Sequence, residues 1–75
     1  MEQLVSSNEA YFLSFCIEQY KMHEHLSGSD AVRLLCRYGV LEYLYDNYEV
    51  LHTQSSQWLM EEIDELIADG KERER

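Results

Sequence analysis

The chain has 75 residues, 45% of them hydrophobic and 28% charged, a balance that excludes a disordered chain and leaves room for one domain over residues 1–75 with a small core. Six Lys and Arg against fifteen Asp and Glu give a formal net charge of −9. That field repels a phosphate backbone and so argues against direct nucleic-acid binding.

No run approaches the roughly 18 apolar residues that cross a bilayer. The N-terminal MEQLVSSNEA lacks the basic and long apolar regions of a secretory signal. A cytoplasmic protein without a membrane role is expected. Proline is absent, and the glycines at 28, 39 and 70 fall where helical patterns break. Residues 1–6 and 71–75 are expected to be flexible ends.

The first helix is predicted over 7–26, where Tyr11, Phe12, Phe15, Cys16, Gln19 and Tyr20 recur at three- and four-residue steps. Leu13 and Ile17 widen this stripe. An arc that broad is covered by two neighbouring helices, or it keeps one flank for a second chain. Ser27 is placed to cap a second helix starting near Ser29, with Asp30 reaching back in a capping box. Its core positions are Ala31, Leu34, Leu35 and Tyr38, and Gly39 supplies the left-handed residue that ends it.

A third helix follows with Leu41, Leu44, Tyr45, Tyr48 and Leu51 as its buried face and Tyr43 directed outward. The fourth starts at Ser55 or Ser56, turns Leu59, Ile63, Leu66 and Ile67 inward and ends at Gly70. Glu61, Glu62, Asp64, Glu65 and Asp69 lie on its outer side. Strand-like alternation is not sustained anywhere, so the predicted fold is all-α, a compact bundle of about four short helices.

Little in the sequence points to catalysis. Cys16 and Cys36 sit in apolar helical patterns and are expected to be small buried hydrophobes, without a disulfide framework. His23 and His25 point about 200° apart on a helix, so their spacing does not make a metal pair, and no metal or cofactor is expected. His52 beside Thr53 and Ser55 is better explained by helix ends than by a nucleophile and its base. His52 would close the third helix, while Thr53 or Ser55 would satisfy the free N–H groups of the fourth.

The acidic segment MEEIDELIAD with Trp58 at its start, and Tyr43 near it, has the composition of a protein interface. The candidate partner-binding residues are therefore Trp58, Tyr43, Glu61, Glu62 and Glu65.

FLSFCIEQYK at 12–21, LSG at 26–28, LLCRYGVLEYLYDNYEVLHTQ at 34–54 and EEIDELI at 61–67 together resemble domain-of-unknown-function family 3791, a group of small bacterial proteins. The resemblance implies an antitoxin-like role beside an ADP-ribosyltransferase-like toxin, and it carries no catalytic residues. Tyr38, Gly39, Val40, Leu51, His52 and Thr53 match its signature positions. Ser55 stands where the family commonly has glycine and Trp58 where it has tyrosine, which puts a left-handed turn at residue 55 in question.

The expected function is that of a small acidic helical protein-binding module, an antitoxin-like inhibitor that works by occupation and not as an enzyme. The alternatives are a homodimeric structural or regulatory protein, using the broad arc of the first helix, and an acidic mimic of nucleic acid.

Overall fold

The computed structural model describes residues 8–74, which fold into α1 (Asn8–Glu24), α2 (Gly28–Arg37), α3 (Val40–Asp46), α4 (Tyr48–Leu51) and α5 (Ser56–Arg73). No strand occurs among the described residues. The all-α expectation holds, with five helices where four were expected. The extra one arises because the predicted third helix breaks at Asn47. Its Nδ2 donates to the Tyr43 carbonyl at 2.8 Å, and the residue sits at φ −112°, ψ 23°, outside helical geometry. Asn competes for local backbone partners in this way and so interrupts helices.

The turns follow from residue chemistry. At the end of α1, His25 adopts φ 57°. The Leu26 N–H reaches back to the Lys21 carbonyl at 2.9 Å and the His25 N–H to the Met22 carbonyl at 3.4 Å, the paired bonds of a Schellman ending. Ser27 caps α2 as expected, its Oγ accepting from the Asp30 N–H at 3.1 Å. The reciprocal arm of the capping box does not form, because the Asp30 carboxylate accepts from Arg33 Nη1 at 3.3 Å instead. Gly39 takes φ 69°, the left-handed conformation that lets α3 turn away from α2.

α1 touches α2, α3 and α5, and α5 also touches α3. Phe12, Cys16 and Tyr20, one every four residues along α1, join Ala31, Leu35, Val40, Leu44, Leu51, Leu59, Met60, Ile63 and Ile67 in one buried cluster. Phe12 meets Tyr48 edge-on at 5.6 Å between ring centroids. No charged or polar residue is buried among the described residues.

Several sequence expectations are corrected. Tyr11 and Phe15 stay exposed, because the neighbouring helices cover only the Phe12–Cys16–Tyr20 side of the broad arc. Tyr45 is 55% exposed: the buried row of the third segment runs through Val40, Leu44 and Leu51, and Tyr45 lies about 100° round from Leu44. Tyr43, expected outside, is half-buried. Cys36 is exposed, one residue past the Ala31–Leu35 row.

Gly70 does not end α5, which continues to Arg73. Its role is clearance: a Cβ there would fall on Cδ1 of the Tyr38 ring. Glu74, just beyond, accepts from Arg37 Nε at 3.0 Å and from the Tyr38 hydroxyl at 3.1 Å. Residues 71–73 thus continue the helix, and Glu74 contacts the end of α2. The expected flexibility of 1–6 and of residue 75 lies outside the described residues.

This packing predicts a sign reversal. Gly70→Ala should destabilise the native chain by about 1–3 kcal/mol through overpacking. In a Tyr38→Ala background the same substitution should stabilise by about 1 kcal/mol through helix propensity. Urea unfolding of the four proteins checks this, and equal effects in both backgrounds would exclude the ring contact.

Candidate partner-binding site

The sequence of α5 sorts its residues by face. Leu59, Met60, Ile63 and Ile67 are buried, and their burial turns Trp58, Glu61, Glu62 and Glu65, a row at i, i+3, i+4 and i+7, toward the opposite side. Ser55 fixes where this row begins. It is extended at φ −71°, ψ 159°, and its Oγ accepts from the Trp58 N–H at 3.1 Å. The left-handed turn in question at residue 55 is thus not adopted, and serine caps the helix in its place.

All five residues singled out from the sequence fall in one patch. Trp58, Glu61, Glu62 and Glu65 line a shallow concavity of about 150 Å³. Tyr43 reaches it from α3, its hydroxyl donating to Glu62 Oε2 at 3.1 Å. Burial first, and then the Glu62 carboxylate, push the Tyr43 phenol above its ordinary range, so it stays a neutral donor. Trp58 is 39% exposed and lies outside the core.

Among the described residues, none of Glu61, Glu62 and Glu65 has an ion-pair partner. The cations Lys21, Arg33 and Arg37 are already engaged with Glu18, Asp30 and Glu74. An exposed indole beside three unneutralised carboxylates can hold a cationic, partly apolar surface.

The other candidate residues serve the scaffold. His52 closes α4, with Nδ1 donating to the Tyr48 carbonyl at 2.8 Å and its ring stacked on Tyr48 at 4.3 Å. Thr53 Oγ1 donates to the Val50 carbonyl at 2.9 Å, so Thr53 serves the helix before it and Ser55 the helix after it. His23 and His25 are kept apart by the α1 ending.

Sequence reasoning missed two features, both made by contacts between α1 and α5. In the first, His23 Nε2 meets Asp64 Oδ2 at 2.9 Å with Glu24 Oε2 at 3.6 Å. These three donor atoms lie within 4.8 Å of one another, on an open surface and one short of a closed four-ligand metal site. The second is a groove lined by Gln19, Met22, His23, Gln57, Met60 and Glu61, among others. Adjacent helix faces separated by some forty residues leave no local signal for either.

A family model described as a protein of unknown function (DUF3791) matches residues 11–69, a span that includes all five patch residues. Comparison with curated proteins and with solved structures found no match. No helix among the described residues is long and apolar enough to cross a membrane.

Two outcomes follow from the titratable groups. Burial pushes the Cys16 thiol up to about 12, while Cys36 is exposed. A thiol reagent should therefore label one cysteine per native chain quickly and the second only on unfolding, since thiolate is the reactive form. Two fast thiols would contradict the buried row of α1.

His23 is raised above its ordinary value, chiefly by its hydrogen bond to Asp64. A raised folded value makes its contribution complete below the ordinary pKa of about 6.5 and lost as pH climbs through the folded one. In denaturation experiments His23→Gln should destabilise the chain by up to about 1 kcal/mol near pH ~6, and by nothing once the pH is well above the raised folded value. A cost that persists at the higher pH would exclude the charged pair.

Proposed function

Because the chain belongs to the DUF3791 family of proteins of unknown function, we propose its role from its surface: a small cytoplasmic module that binds and occupies a basic protein partner without catalysis. The family resemblance noted above extends the proposal to an antitoxin-like inhibitor, with an ADP-ribosyltransferase-like toxin as the partner to test first. The observation that carries this reading is the meeting of exposed Trp58 with unpaired Glu61, Glu62 and Glu65, braced by Tyr43 through Glu62.

Each part of the patch has a separate physical task. A tryptophan that is already outside the core loses little by being covered and gains desolvated contact, which makes such residues interface anchors. Carboxylates without cations of their own attract a basic surface and fix its orientation. The cleft is too shallow and open to exclude water, which suits surface recognition and not chemistry.

A second reading draws on Tyr11 and Phe15, exposed on α1, as a face for a second copy of the chain. It stands second because two chains of net charge −9 repel each other on approach.

The test is to capture the partner on the natively expressed protein and to compare Trp58→Ala with wild type for both melting temperature and partner affinity. The expected result is a stability change below about 1 kcal/mol, as at ordinary surface positions, with an affinity loss of about 2 kcal/mol or more. A large stability loss with unchanged binding by the folded fraction would overturn the proposal.

A further inference from the structure

We infer that the groove between α1 and α5 seats a basic amphipathic helix of the partner. The inference rests on the partner-binding role proposed above and adds the shape and chemistry of what is bound.

The groove measures about 610 Å³, within the ~300–1,000 Å³ of clefts that hold ligands and anchor side chains. Its apolar lining is Met22 from α1, 57% exposed, and Met60 from α5, which is buried as part of the core. Methionine is flexible and polarisable, so paired methionines adapt to apolar side chains of differing shape. Gln19 and Gln57 supply adaptable polar edges. Gln19 Oε1 accepts from the Ser56 hydroxyl at 3.0 Å, a bond that ties the two walls together.

Glu61 lines this groove and also the concavity under Trp58. Glu61 is thus a wall common to the two depressions, with Met22 and Met60 on the groove side of it and Glu62 and Glu65 on the other, while His23 in the groove is already engaged by Asp64 and Glu24. A helix laid into a groove presents anchors at i, i+3 or i+4 and i+7 on one face and polar residues on the flank. On this surface the anchors meet Met22 and Met60, and the flank meets Glu61, Glu62 and Glu65.

Charge selects the occupant. The three carboxylates have no ion pair among the described residues, so a flank of Lys and Arg neutralises them. A second copy would instead bring a further net charge of −9 to a surface that is already acidic. The basic helix is therefore the occupant that both the lining and the field favour.

The test uses three synthetic 15-residue peptides, titrated calorimetrically into the full chain, into Met22→Ser and into Trp58→Ala. The first carries Leu at i, i+3, i+4 and i+7 spacing with Lys elsewhere, the second replaces Lys by Glu, and the third replaces Leu by Ser. The first should bind, at least tenfold more tightly than either of the others, and Met22→Ser should weaken it at least fivefold while its circular dichroism stays native.

Binding of the first peptide that is lost with Trp58→Ala yet unchanged by Met22→Ser would reject the groove while leaving the acidic-aromatic patch in place. Equal binding of the first and third peptides would reduce recognition to charge and overturn the inference, as would failure of the first to exceed the second. A dimer in sedimentation that Met22→Ser dissociates would assign the groove to a second copy and equally overturn it. Capture of the native partner sensitive to Trp58→Ala is independent of all these outcomes.

Discussion

The apolar contact between α5 and the rest of the bundle is the interaction on which the other features depend. Leu59, Met60, Ile63 and Ile67 enter the same buried cluster as Phe12, Cys16 and Tyr20. Fully burying an aliphatic or aromatic side chain contributes about 1.5–3 kcal/mol, whereas an exposed ion pair contributes about 0–1 kcal/mol. The polar links from α5 and its C-cap Glu74 include Ser56 to Gln19, Asp64 to His23, Glu62 to Tyr43 and Glu74 to Arg37 and Tyr38. They are spread from the first turn of the helix to its end. On these magnitudes the apolar row holds α5 down and the polar links refine its rotation. In proteins most helical stability comes from the packing of an amphipathic face, so α5 owes its form largely to the docking.

That docking also decides what the surface offers. Once one face of α5 is committed to the core, the row Trp58, Glu61, Glu62 and Glu65 has nowhere to go but outward, next to Tyr43. The same approach of α5 to α1 opens the methionine-lined groove and pairs His23 with Asp64. The candidate patch is therefore a by-product of how one amphipathic helix covers a small core. The four tyrosines between 38 and 48 show how far the core reaches. Tyr38 lies over Gly70, Tyr43 holds Glu62 and Tyr48 packs between Phe12 and His52, while Tyr45 faces solvent.

Much of this was legible in the sequence where the signal is local. Ser27, Gly39 and Ser55 act at the turns where their chemistry placed them, and the inward row of α5 follows from its spacing. The outward row gave Trp58, Glu61, Glu62 and Glu65, four of the five patch residues, because a helix with one apolar face must expose the other; Tyr43 joins them from α3 through its bond to Glu62. What failed to show was anything set by the partner across the gap. Gly70 reads as a helix end to local rules but serves as clearance for Tyr38. Tyr11, Phe15 and Cys36 are apolar and periodic, yet the neighbouring helices cover only part of α1 and the side of α2 carrying Cys36 stays open. Asn47 breaks a helix through a side-chain bond that its residue type allows but does not require. His23 finds Asp64 only because two helices meet.

The measurement that decides whether the acidic face acts as proposed is the rate of association with the captured partner as a function of salt. Charges near a surface attract a partner over about a Debye length, ~8 Å at physiological ionic strength and ~3 Å at 1 M. If Glu61, Glu62 and Glu65 steer a basic surface onto Trp58, stopped-flow association should slow at least tenfold between low salt and 1 M, while dissociation changes little. An association rate indifferent to salt would mean that the carboxylates merely keep the chain soluble, and that the face was never built for binding.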